Sequence, residues 1–161
     1  MEMQIDISEI VAFGERLEAA AEAVPRELET AGRASGKAIE RFAQNYIPVA
    51  PGGGTARANT TMRNVITTGE SVSVDVASTA QSGAGYPYPM VLEYGTKGDI
   101  VPVKAKALSF TARDGTKVVT RRVKKREGTH FFSRAIKDTK PFVLQQFRSA
   151  RDRVANLIVG S

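Results

Sequence analysis

Apolar residues recur at spacings of three and four near both ends of the chain, and at every second position in its middle. Ile10, Phe13, Leu17, Ala20, Val24 and Leu28 form one stripe, the pattern of an amphipathic helix. Asp6 or Ser8 suits its start, because either side chain accepts from an otherwise orphaned backbone N–H. Pro25 falls inside the stripe, where a missing N–H and ring clash predict a kink or a restart. The stripe resumes through Leu28, Ala31, Ser35, Ala38, Ile39, Phe42 and Tyr46, predicting a helix over 27–46 that Pro48 ends. Gly32, Ser35 and Gly36 narrow one side of it and invite close approach by another element.

Residues 50–59, APGGGTARAN, read as a flexible loop, and no Gly-Lys-Ser/Thr follows that would make it a phosphate cradle. The pattern then changes period. A strand is expected over 60–67, a turn at Gly69-Glu70, and a half-buried strand over 71–78 with Val72, Val74 and Val76 on one face. After a small-residue loop, MVLEY (90–94) reads as a further short strand. Residues 107–112 and 116–123 flank Arg113-Asp114-Gly115, and Asp-Gly is a strong hairpin signal. FFSRAI, an Asp138-Thr139 cap before Pro141, and a stripe of Phe142, Leu144, Phe147, Ala150, Val154, Leu157 and Ile158 predict a final helix, with Gly160 at its end. The fold class expected is α+β: an antiparallel sheet of about five strands with a long β-hairpin, packed against N-terminal and C-terminal helices. At 161 residues one domain over 1–161 is expected, with the basic hairpin 100–126 as an extension.

Charge sharpens this picture. The net charge is +6, but residues 1–47 carry nine acidic and five basic side chains, a net of −4. Residues 97–126 carry ten basic and two acidic, a net of +8. An acidic start and a basic second half suit contacts between unlike faces of identical subunits, or contact with a polyanion. Solvated loops account for the same charges without any partner.

Candidate chemistry is sparse. Cysteine is absent, which excludes disulfides and sulfur ligation. His130 is the only histidine, with no carboxylate at helical spacing, so no metal site is expected. No serine sits in a nucleophile elbow. Glu93 and Asp99 are six apart across a glycine-bearing turn, yet an isolated acidic pair is more often structural than catalytic. The expectation is a protein that is not an enzyme, with no catalytic residue, cofactor or metal. The start, MEMQIDISEI, lacks the basic and apolar segments of a signal peptide. No apolar run approaches the ~18 residues of a membrane span, so a soluble protein made in a cytoplasm, with no membrane partner, is expected. Between Lys104 and Arg126 the only aromatic is Phe110, which leaves a backbone-only electrostatic contact as the form of any nucleic-acid binding.

Three segments, taken in order, carry a resemblance: AIERFAQNYIPVAP with the glycine/threonine/arginine loop after it, YPYPMVLEYGT, and THFFSRAI leading into the last helix. Together they resemble the small neck proteins of long-tailed phages, the family of head–tail joining or tail-completion proteins. Ala50-Pro51, Thr55, Arg57, Tyr88, Glu93-Tyr94-Gly95-Thr96, Phe132 and Ala135 occupy the places of that family's motif positions. The sequence departs from the pattern at GGGTARAN, at Thr129-His130 where a proline is common, and in the long basic stretch 100–126. The resemblance implies a virion structural protein of the neck or tail, assembled in the bacterial host cytoplasm as a homo-oligomeric ring, hexameric by analogy. Its implied partners are copies of itself, connector or adaptor proteins, tail-terminator or tail-tube proteins, and genomic DNA in the lumen by non-specific contact.

Glu93, Tyr94, Gly95, Thr96 and Phe132 are then the expected interface residues, joined by Lys117, Arg121, Arg122 and Lys124 of the basic hairpin. That hairpin is expected to reach an acidic N-terminal helix (Glu15, Glu18, Glu22, Glu27, Glu29) of a neighbour, with Val118 and Phe110 adding apolar contact. Gly95 is expected at positive φ at the end of a strand. Two other functions compete: a tail terminator capping the tube, and a small basic DNA-binding protein.

Overall fold

The computed structural model describes residues 7–49, 55–81, 87–103, 105–111 and 115–160. Its elements are α1 (Ser8–Tyr46), α2 (Thr55–Ala58), β1 (Thr60–Thr68), β2 (Ser71–Ser78), α3 (Tyr88–Tyr94), β3 (Leu108–Thr111), β4 (Lys117–Thr120) and α4 (Phe131–Val159). The described strands form two separate two-stranded sheets, β1-β2 and β3-β4. The expected five-stranded sheet is therefore incorrect. Two causes account for the difference. Each described strand pairs only with its neighbour in sequence, and MVLEY, expected as a strand, is helical within α3. Pro89 in the first turn of α3 supplies the preset φ that favours a helix start.

Pro25, expected to kink or restart a helix, and Pro141, expected at the start of the last one, both lie inside continuous helices. α1 runs as one helix through Pro25, and α4 begins at Phe131 and passes through Pro141 instead of starting after it. A proline inside a helix costs about 3 kcal/mol, a penalty that the packing of a long amphipathic segment offsets.

The chain divides into two compact units. The first contains residues 1–38, 63–75 and 139–161. Here Ala20, Ala31 and Ala150 are buried, and Val24 and Leu28 of α1 line an apolar crevice with Phe147 and Val154 of α4. Arg153 pairs with Glu27 at 2.7 Å across the same helices. The narrow side of α1 is used as its residues predict. Gly32 lies against β2, where an added Cβ would stand 2.6 Å from Val72 Cγ2. Ser35 is buried and its hydroxyl donates to the Ala31 carbonyl at 2.7 Å. Gly32→Ala gains about 1 kcal/mol of helix propensity but meets a stiff β-branched side chain, an overpacking cost of about 1–3 kcal/mol. A net loss of about 1 kcal/mol is expected, a drop of a few degrees in calorimetric midpoint. A midpoint at or above wild type would show that Val72 has room to move.

The second unit contains residues 39–62 and 76–138. Its core gathers Ala43, Ile47, Ala56, Ala80, Phe131 and Ala135, with Ile39, Tyr46, Tyr88, Leu92 and Phe132 packed against it. Phe131 and Ile47 are the largest fully buried apolar side chains, each contributing about 1.5–3 kcal/mol by burial. Polar ties hold β1 to α1: Gln44 Nε2 donates to the Thr60 carbonyl at 2.7 Å, and Glu40 Oε2 accepts from the Met62 N–H at 2.7 Å.

The β1 and β2 boundaries agree closely with those expected from alternation; Val72, Val74 and Val76 are half-buried, and the alternation with exposed residues holds from Ser71 to Val76. The inward–outward phase of β1 slips at Arg63-Asn64. The second hairpin is shorter than its sequence suggests, with four residues in each strand, paired from Leu108↔Thr120 to Thr111↔Lys117. Its expected tip residues Arg113 and Asp114 lie outside the described residues, as do Ala50-Pro51 and Lys104.

Candidate assembly surface

The Glu-Tyr-Gly-Thr motif sits where the end of α3 meets the start of α4. The last carbonyls of a helix and its first N–H groups have no partners within the helix. Here they are satisfied reciprocally. Thr129 N–H and Oγ1 donate to the Leu92 carbonyl at 2.6 and 2.8 Å, and His130 N–H donates to the Glu93 carbonyl at 3.1 Å. In return, the Glu93 carboxylate accepts from Phe132 N–H at 2.8 Å, Ser133 N–H at 3.1 Å and Ser133 Oγ at 2.6 Å. Glu93 is 5% exposed. Its negative charge at the N-terminus of α4 also complements the helix dipole.

Gly95 has φ 75, so positive φ is correct, but the residue follows a helix and not the expected strand. It bridges Glu127 antiparallel, and Thr96 exchanges two bonds with Arg126: N–H to carbonyl at 2.9 Å, and Oγ1 accepting from N–H at 3.0 Å. Gly128 lies so near α3 that an added Cβ would stand 2.7 Å from the Glu93 and Tyr94 carbonyl carbons. Glu93 and Asp99 do not act as a pair. Asp99 instead accepts from Lys125 N–H at 2.7 Å and pairs with Arg122 at 3.2 Å.

Of the remaining expected interface residues, Tyr94 is 70% exposed, and Lys117, Arg121 and Lys124 are exposed. Phe132 is half-buried, stacked on Phe131 with ring centroids 4.5 Å apart. Phe132 thus packs against the core, and Glu93 caps α4; Tyr94 and the basic side chains form surface. In the second hairpin, Val118 is half-buried, whereas Val119 is exposed. Within the acidic set of α1, Glu27 and Glu29 pair with Arg153 and Arg33 of their own chain.

The sequence reading missed an apolar surface. Beside Tyr94, a cleft of about 910 Å³ is lined by Met90, Val91, Tyr94, Gly95, Thr96, Ile100, Lys97 and Lys125. Val101 and Val103 are exposed close by in sequence. The signal was present in Ile100-Val101-Pro102-Val103, an apolar run without strand alternation beside a proline. A second missed cluster surrounds Tyr46. Its hydroxyl donates to Asp138, and Arg134 stacks over its ring at 4.2 Å. The bond to Asp138 raises the Tyr46 pKa above its ordinary value, because ionisation would remove the donated proton.

Among the described residues no group of three or more His, Asp and Glu side chains is arranged to hold a metal ion. No helix among them is long and apolar enough to cross a membrane. Comparison with protein-family models, with curated proteins and with solved structures finds no match for this chain.

Proposed function

We propose that this chain is a structural subunit of a tailed-phage particle that self-associates into a ring at the head–tail junction, acting by assembly and not by catalysis. The observation that supports this reading best is the meeting of its motif segments. Segments 38–51, 86–96 and 129–136, far apart in sequence, contribute Ala43 and Ile47, Tyr88 and Leu92, and Phe131 and Ala135 to one core. They leave Met90 and Tyr94 exposed on the surface beside it. Large apolar side chains exposed around a cleft belong to proteins that bury them against partners. Connector and tail-terminator or tail-tube proteins are the partners above and below the ring. Six copies is the number by analogy with the family it resembles.

The test is negative-stain microscopy of nuclease-treated protein. Discrete rings without DNA are expected. Dispersed monomers that bind duplex non-specifically, with affinity falling steeply with salt, would instead favour a small basic DNA-binding protein.

Charge offers a further check. Arg121 and Lys124 make no ion pair among the described residues, whereas Arg122 is held by Asp99. Each exposed pair they form across subunits is worth about 0–1 kcal/mol, so they guide register more than they supply affinity. Arg121→Glu with Lys124→Glu is expected to weaken ring formation several-fold in sedimentation velocity, with an unchanged circular dichroism spectrum. Equal assembly of variant and wild type would remove the basic hairpin from the interface.

A further inference from the structure

The second unit carries far more positive charge than it neutralises. Its residues, 39–62 and 76–138, include fourteen basic and six acidic side chains, a net of +8; the first unit has nine and eleven, a net of −2. In the first unit Arg33, Arg151 and Arg153 pair with Glu29, Asp152 and Glu27. In the second, Lys97, Lys106, Lys117, Lys125 and Arg126 are exposed and make no ion pair among the described residues, and the same holds for Arg121 and Lys124. Asp99, the acidic residue among them, is taken by Arg122.

Backbone pairing gathers these cations. Gly95 bridges Glu127 and Ile100 bridges Val123, so segments 95–100 and 123–127 run antiparallel side by side, with Lys97 and Lys125 lining one cleft. β4, with Lys117 at its start, leads into the second of these segments. Like charges fixed within a Debye length, about 8 Å at physiological ionic strength, repel one another. A second copy does not relieve that repulsion. Its first unit brings a net of only −2, and each copy that joins an assembly adds a further +6. The partner that does so carries more negative charge than this chain offers.

Spacing narrows the class of polyanion. Extended chain advances about 3.3 Å per residue, and each strand of a duplex presents one phosphate per about 3.4 Å of axis. Cations spread along extended segments therefore keep step with a line of phosphates. Attachment to a lipid layer instead uses a helix with basic residues on one face and bulky apolar residues inserted on the other. A two-stranded ribbon is also a shape that the major groove, about 12 Å wide, admits.

We infer that the paired segments 95–100 and 123–127, with the adjoining β3-β4 hairpin, bind the phosphate backbone of duplex DNA through Lys97, Lys106, Lys117, Lys125 and Arg126. The contact is made to phosphates and is therefore indifferent to base sequence. It goes beyond the ring proposed above and uses side chains other than Arg121 and Lys124.

The test is fluorescence anisotropy of a short labelled duplex titrated with the full chain at several salt concentrations, beside sedimentation velocity on the same samples. The logarithm of affinity is expected to fall against the logarithm of salt with a slope of about −4 per bound copy, alike for duplexes of unrelated sequence. Lys97→Gln, Lys125→Gln and Arg126→Gln in one chain should flatten that slope by about 3, one per lost contact, whereas Lys97→Arg with Lys125→Arg should keep it. Should the triple variant lose its wild-type circular dichroism, Lys106→Gln with Lys117→Gln takes its place and should flatten the slope by about 2. Phosphatidylserine vesicles and poly-glutamate, at the same salt, should bind more weakly than the duplex. Absence of binding at low salt, a slope that the charge-neutral variants leave unmoved, or tighter binding to vesicles or poly-glutamate overturns the inference. Rings that ignore DNA remove only this contact, and monomers that bind it with the expected slope remove only the ring.

Discussion

Gly95→Val is expected to lower stability by about 3–5 kcal/mol, enough to reduce the thermal midpoint by roughly 10 °C. Two separate costs combine. At φ 75 and ψ −161, Gly95 occupies a region of backbone space that is essentially closed to residues with a Cβ, a penalty of about 1–3 kcal/mol. The second cost is steric. A Cβ at this site would collide with the Arg126 carbonyl oxygen and stand 2.7 Å from the Gly128 nitrogen. Those are backbone atoms, which no rotamer change can move aside. The segment 126–128 would have to retreat, stretching the Thr96–Arg126 bonds and drawing Thr129 away from the Leu92 carbonyl. Because the collision begins at Cβ, Gly95→Ala should lose most of the same stability. Scanning calorimetry decides the matter, and wild-type midpoints for both variants would mean that the two segments lie further apart than they do here.

Glu93→Ala should be the next most damaging change, at about 2–3 kcal/mol. Removing the carboxylate leaves the Phe132 and Ser133 N–H groups and the Ser133 hydroxyl without the acceptor that a buried Glu93 supplies. It also removes a negative charge from the N-terminus of a 29-residue helix. Glu93→Gln keeps one acceptor oxygen and the shape, so it should lose only about 1 kcal/mol. Hydrogen exchange distinguishes a cap from a bystander. In Glu93→Ala the amides of Phe132 and Ser133 should exchange faster, with little change at the far end of α4. Equal exchange at those two amides would show that water or another group had taken over the cap.

Both substitutions act on one junction, and that junction separates what local pattern reveals from what it hides. Local pattern was sufficient wherever a segment's structure depends on its own neighbours. The period-two run Val72, Val74, Val76 and the turn at Gly69-Glu70 specify the first hairpin, because alternation leaves only one way to bury half a strand. The glycine and serine positions of α1 announced a close approach, and Gly32 against Val72 is that approach. Gly95 announced positive φ for the same reason, since no other residue adopts it without strain.

Tertiary structure decided the rest. Five apolar-rich residues such as MVLEY fit a strand or a helix equally well, and the choice fell to packing of Tyr88 and Leu92 on a core assembled from distant segments. The number of strands per sheet is likewise non-local, because which edges pair depends on where helices cover them. Pro25 read as a kink or restart and Pro141 as a helix start, yet each lies within a helix long enough for burial on both sides to outweigh one lost bond. Glu93 carried no sign of its role, since its partners Phe132 and Ser133 are some forty residues away. The stripe of α1 was legible from Ile10 to Leu28, but periodicity cannot say whether a face is covered. Only the fold shows that cover reaches Ala20, Val24 and Leu28 and stops short of Ile10, Phe13 and Leu17.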